Sequence, residues 1–141
     1  MVRRPFPEFP LAGQSVFLVT IVVDDYDRAK AFYCGCLGFE CLEDKDLPDA
    51  KRWLVVKPGS GEGAALLLAQ ADGEAELAAI GNQTGGRVGF FLKTDDFARD
   101  HAAFVAAGVT FLEAPRYEPY GTVAVFRDLY GNRWDLLEPA G

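Results

Sequence analysis

At 141 residues and 50% hydrophobic, the chain can bury one sizeable core and is short for two. Its 21 acidic residues against 14 basic ones leave a net charge of -7, which opposes binding to nucleic acid or an acidic membrane surface. No apolar run approaches bilayer length, and prolines break up MVRRPFPEFP before a signal-peptide core could form, so a soluble, cytoplasmic protein is expected.

Taken in order, residues 1–13 are expected to be an extended arm, because prolines punctuate them. Val16 to Val23 (VFLVTIVV) reads as a strand that is apolar on both faces, and therefore as one covered on both. Asp25 has the chemistry of an N-cap, with Asp27 in the first turn. A helix follows, its apolar stripe running through Tyr26, Ala29, Phe32, Tyr33, Cys36 and Leu37 until Gly38 stops it. Cys34, Cys36 and Cys41 are odd in number and lack the spacing that closes a thiolate pair on zinc, so free thiols in a reducing compartment are expected.

Strands follow at Phe39–Leu42, Arg52–Lys57 and Ala64–Ala69, and residues 71–87 read as a linker with room for a short helix. The order then restarts. Val88–Thr94 is a strand, Asp95 and Asp96 precede the helix FARDHAAFVAA, Gly108 ends it, and Thr110–Leu112 resumes as strand. The stretch Tyr120–Pro139 is a hairpin turning on Asp128, Gly131 and Asn132. In its return strand Arg133, Asp135 and Leu137 point one way, and Trp134 and Leu136 the other.

The two halves correspond element for element: a first module at 14–70, the linker, and a second module at 88–139, within one domain spanning 1–141. The fold class expected is α+β. One helix per half covers only one face of a sheet, so the halves are expected to pair their sheets around a shared concave interior.

VVDDYDRAKAFYCGCLGFE in the first half, with TDDF, AAGVTFLEAP and FRDLYGNRWDLLEP in the second, resembles the vicinal oxygen chelate superfamily. That superfamily includes glyoxalase I, extradiol dioxygenases, fosfomycin-resistance enzymes and bleomycin-binding proteins. The resemblance implies two tandem βαβββ modules forming a cup-shaped, mainly antiparallel eight-stranded sheet with helices outside, a ligand inside and commonly a homodimer. It also implies where a metal would be held in metal-dependent members. The two histidine positions fall on Leu18 and Gly89, the last-strand carboxylate position falls on Asp135, and AALLLA in the first half carries no donor. One carboxylate does not hold a divalent ion, so no metal and no other cofactor is expected. His101, the sole histidine, lies on the sheet-facing stripe of the second helix between Phe97 and Phe104, where packing is its expected role.

If Asp135 takes the ligand-facing orientation that the resemblance implies, Arg133 and Leu137 share its face, and Leu18, Thr20, Val22, Gly89 and Phe91 join them. Arg52 and Trp53 on an adjacent strand, and Glu118 and Tyr120 in a loop entering the hairpin, are further candidates for ligand contact. Asp135 would anchor a cationic group, act as a general base, or simply pair with Arg133 or Arg127. The reading is a metal-independent small-molecule-binding protein, with an apolar, aromatic or cationic ligand in the cup. A lyase, isomerase or oxygenase working through Asp135 or unrecognised donors, and a structural dimer without ligand, are the alternatives.

Overall fold

A computed structural model describes residues 13–59 and 61–141, so all but the last residue of the expected arm lies outside the described residues. The first module runs β1 (Leu18–Val23), α1 (Tyr26–Lys30), β2 (Glu40–Asp46), β3 (Arg52–Lys57) and β4 (Ala65–Gln70). The linker carries α2 (Glu74–Ala79). The second module runs β5 (Val88–Lys93), α3 (Phe97–Ala106), β6 (Thr110–Phe111), β7 (Arg116–Glu118), β8 (Gly121–Arg127) and β9 (Arg133–Pro139).

The caps are where local chemistry put them. The Asp25 carboxylate accepts from Arg28 N at 2.8 Å, and that of Asp96 from Arg99 N at 3.1 Å, each satisfying an N–H that the first turn leaves unpaired. Gly38 and Gly108 end the helical segments at φ 73 and 91, a left-handed conformation that costs other residues more. Beyond Lys30 the first helix widens into a π turn over Ala31–Cys36, with Leu37 N donating to Phe32 O five residues back.

The architecture is α+β, with two repeated modules whose sheets are open and cup-like. Hydrogen bonding divides the strands into a four-stranded sheet, β1-β4-β3-β2, and a five-stranded one, β5-β9-β8-β6 with β7 beside β8. β1 with β4 and β5 with β9 are parallel, and the other pairs are antiparallel. The strand beyond the eight expected is β7. Glu118 pairs with Gly121 across a tight turn, so Glu118 belongs to a strand rather than to a loop.

The halves meet differently from the expectation of a shared concave interior. Ile21, Val23, Leu54, Val56, Leu66 and Leu68 of the first sheet join Ala124, Phe126, Trp134 and Leu136 of the second in one core, with Tyr26, Ala29, Tyr33, Phe97 and Phe104 from the helices. What the modules share is thus the helix-bearing side of each sheet. Tyr33 lies 5.9 Å from Trp134 between ring centroids, and Phe90 stacks on the same indole at 4.8 Å. Among the described residues the other face of each sheet is the more open one, with Thr20 of β1 and Phe91 of β5 exposed. β1 is accordingly covered on one face only: Ile21 and Val23 are buried, whereas Thr20 is exposed.

A buried polar link ties the modules together. The Tyr33 hydroxyl donates to Asp128 Oδ2 at 2.6 Å, Asn132 Nδ2 donates to the same oxygen at 2.8 Å, and the N–H groups of Tyr130 and Asn132 donate to Oδ1. Burial, with the Asp128 carboxylate adding to it, pushes the Tyr33 hydroxyl well above its ordinary value and keeps it a donor. Tyr33→Phe is expected to lower stability by about 1–3 kcal/mol, because a buried carboxylate loses a donor that water cannot replace. Urea unfolding of the two proteins measures this, and equal midpoints would show the link to be dispensable.

Candidate functional site

Two open faces carry the candidate chemistry. On the first, β1 contributes Leu18 and Thr20, β3 contributes Trp53 and Val55, and β4 contributes Ala65 and Leu67, all on one side by strand alternation and register. A hollow of about 260 Å³ sits here, lined by Phe17, Leu18, Leu42, Trp53, Val55 and Lys57 among others. Trp53 Nε1 donates to Glu43 Oε2 at 3.0 Å, which fixes the indole plane on this face. Hydrogen bonds from Lys45 and Trp53 hold the Glu43 carboxyl below its ordinary value.

Arg52 is not part of this face. Alternation turns it to the helix side, where it bonds both oxygens of Asp44 at 3.0 and 2.8 Å, reaches Asp27 at 2.7 Å and lies over the Tyr26 ring at 5.2 Å. These partners bind Arg52 to α1 and β2, and its place beside Trp53 in sequence puts the two on opposite faces.

On the second sheet Phe91 of β5 lies opposite Asp135 of β9, and Asp135 lies opposite Val125 of β8. Phe91 is 68% exposed. Asp135 Oδ1 is buried and receives no hydrogen bond from the described residues. Burial pushes the Asp135 carboxyl above its ordinary value, the Arg116 charge opposes that rise, and the Glu113 charge adds to it. The cation acting on Asp135 is therefore Arg116, and neither Arg133 nor Arg127. Those two pair with each other across the strands at the turn end of the hairpin.

Arg116 organises the rest of this face. Its Nε lies 3.0 and 3.1 Å from the two oxygens of Glu113, its Nη1 donates to Glu118 Oε2 at 2.9 Å, and the Tyr120 hydroxyl is 3.5 Å from the same nitrogen. Glu113 Oε2 also accepts from Val125 N at 2.9 Å. The face thus gathers Asp135, Phe91, Glu118 and Tyr120 of the expected residues, and adds Glu113 and Arg116. The signal for Arg116 was present in LEAPRYEP, where alternation places it on the same side of a short strand as Glu118, whereas Glu113 lies outside that strand.

The chain does not bring Leu18, Thr20 and Trp53 into one cavity with Asp135. A larger groove of about 980 Å³ between the modules includes Phe39, Phe91, Lys93, Arg99 and Phe104, and none of those four residues. His101 lies away from the open faces, with its ring 5.4 Å from Phe97 and 4.2 Å from Phe111, as expected of a packing residue.

This layout of paired modules and open sheets agrees with the sequence comparison. Residues 15–136 match the family model of the Glyoxalase/Bleomycin resistance protein/Dioxygenase superfamily. The chain belongs to this superfamily. An uncharacterized protein of Shewanella frigidimarina (strain NCIMB 400) is 48% identical over 126 residues, 89% of this chain and 93% of the relative. The crystal structure of UcmS2 superposes with a TM-score of 0.77 at 34% identity, covering 88% of this chain and 97% of that one. TnmS3, an antibiotic binding protein from Streptomyces sp. CB03234, superposes at 0.74 with 31% identity, covering 93% and 100%.

The metal of the superfamily's metal-dependent members does not fit the residues present. Leu18 offers carbon only, Gly89 offers no side chain, and Glu113, the carboxylate acting on Asp135, is engaged by Arg116 and Val125 N. Among the described residues no three His, Cys, Asp or Glu side chains gather closely enough to hold a metal ion. No helix among them is long and apolar enough to cross a membrane. Replacing Arg116 by Ala removes the one charge that lowers the Asp135 carboxyl and frees Glu113 to repel it. The Asp135 titration midpoint, followed by carboxyl-carbon NMR, is therefore expected to move further up, and a midpoint that falls or stays would refute this account of the face.

Proposed function

We propose that the chain is a cytoplasmic small-molecule-binding protein that works without a metal. It holds an aromatic ligand through a cationic or hydrogen-bond-donating group placed against Asp135. The observation that carries this reading is the buried Oδ1 of Asp135, unpartnered among the described residues, beside an exposed Phe91 on the neighbouring strand. A carboxylate oxygen withdrawn from solvent is costly unless a donor meets it, and the described residues supply none. The exposed ring offers a flat partner to an aromatic, and a nearby cation is favoured electrostatically. The antibiotic binding function of TnmS3 supports the same class of activity. The half-buried free thiols Cys34, Cys36 and Cys41 suit a reducing compartment.

The pocket is proposed to close between two copies of the chain. Among the described residues each open face leaves large apolar side chains exposed, Phe17 by 73%, Phe91 by 68% and Tyr120 by 55%. Apolar surface of that kind marks an interaction site. A homodimer is expected by sedimentation equilibrium at micromolar concentration, and a monomer across that range would sink this part of the reading.

A second reading is an enzyme that uses Asp135 as a general base, favoured by the raised pKa of a carboxyl whose Oδ1 meets no donor among the described residues. The two part company in Asp135→Asn. An enzyme would lose turnover and keep binding, whereas a binding protein would lose affinity for the cationic group.

A thermal-shift screen of aromatic amines against matched aromatic carboxylates tests the leading reading. Amines are expected to stabilise the protein and carboxylates not, and Asp135→Asn to weaken the best amine by about tenfold or more, the worth of a charge-assisted hydrogen bond. Burial raises the Asp135 carboxyl from its ordinary value, so on raising the pH it gains its charge later than an exposed aspartate does. Affinity for a permanently cationic ligand should therefore rise with pH beyond the ordinary aspartate midpoint and then level off. A flat profile would remove the ion pair from the reading.

A further inference from the structure

The linker does more than connect the modules. Gln83 Oε1 accepts from Val22 N at 2.9 Å, and Gln83 Nε2 donates to Thr20 O at 2.5 Å. One side-chain amide thereby pairs with β1 as a neighbouring strand would, on an edge that no strand of the first sheet occupies. Thr84, the next residue, stands over Gly89, where β5 is bulged between Val88 and Phe90. A Cβ built at residue 89 would overlap Thr84 Cγ2 and crowd its Oγ1 at 3.0 Å and its Cβ at 3.2 Å. Ordinary carbon contacts begin near roughly 3.5 Å, so the two side chains cannot coexist without movement.

Little allows Thr84 to move. Its Oγ1 donates to Arg87 O at 2.7 Å, and its branched Cβ restricts the rotamers open to it. Gln83 is tied to β1 before it, and Gly85 N donates to Asn82 O at 3.2 Å after it. Further back, Gly81 is so close to the Tyr130 carbonyl that a side chain there would collide with it. Residue 89 is thus glycine for want of space, since its backbone is not among those with positive φ.

We propose that Thr84, carried by the linker and pinned through Gln83, occupies the donor place at residue 89 and so fixes the second open face as one that binds without a metal. The inference deepens the functional reading and rests on it for the identity of the face as the ligand site. With Leu18 holding the matching place in the first module, Asp135 is left as a lone carboxylate. Its chemistry there is that of an anchor for an organic ligand.

The test combines a mutant cycle with a metal titration. Gly89→Ala is expected to lower the melting temperature by roughly 5 °C, the cost of overpacking by one methyl. In a Thr84→Ala background the same change should cost less than half of that, and in a Gln83→Ala background less than in the native chain, because Thr84 is then free to swing aside. Insoluble Gly89→Ala that becomes soluble with Thr84→Ala supports the inference equally. Equal losses in all backgrounds, or no loss in the native one, would overturn it. Titration of the native protein with cobalt(II) should give no visible d–d band beyond that of the aqueous ion. A stoichiometric band abolished by Asp135→Asn would overturn the inference too. A small-molecule screen without hits would instead count against the functional reading and leave the mutant cycle standing.

Discussion

Each module has a sheet with two faces and one helix to cover them, and the rest of the molecule follows from that shortage. Strand alternation makes the choice of face all-or-nothing in β9, because Trp134 and Leu136 go to one side while Arg133, Asp135 and Leu137 go to the other. Burying an indole by area contributes about 4–6 kcal/mol, more than any ion pair on a solvated face returns. Trp134 therefore takes the helix side, where Tyr33, Phe39, Phe90 and Phe126 surround it. Asp135 is carried to the uncovered side as a consequence. The open face is the side of the sheet left over when the core has been satisfied.

Once there, Asp135 competes for a cation that is already taken. Arg116 spends its donors on Glu113 and Glu118, so three carboxylates share one guanidinium. Glu113 is itself held by the N–H of Val125, the residue opposite Asp135, which keeps a negative charge close by. Partial burial weakens solvent screening of that charge, and the result is a carboxyl displaced upward with an oxygen that no described residue bonds. An isolated surface aspartate would show neither property. The pair of features comes from the arrangement of β7 against β8, not from Asp135 alone.

Features governed by neighbours in sequence were legible from it. The caps at Asp25 and Asp96, the stops at Gly38 and Gly108 and the alternation of β9 depend on residues within a turn or two, and all appear in the structure. The repeat and the resemblance it carried led to the superfamily that the chain belongs to. Arg52 was misplaced by grouping it with Trp53, although period two already separates adjacent residues of a strand. Other features were out of reach because they depend on distant partners. That the covered faces merge rests on Tyr33 meeting Trp134 and Asp128 across about a hundred residues of chain. That Gly89 lacks room for a side chain rests on Thr84, which reads as an ordinary linker residue until the fold sets it over β5.

The two modules repeat in topology and have diverged in the chemistry of their open faces. The first presents an indole held flat by Glu43 and an apolar hollow, and the second presents an acid-rich cluster beside an exposed phenyl ring. In a dimer closed through these faces, charge decides which faces meet. Setting the second face against its own copy would bring six carboxylates and two guanidinium groups together in a partly desolvated space, for a chain already at -7. Like charges so placed cost several kcal/mol. Setting the first face of one copy against the second face of the other avoids this, and a two-fold axis repeats the contact. Each closed pocket then has one apolar wall and one acidic wall, which is the shape of site that an aromatic ligand with a single cationic end would fill.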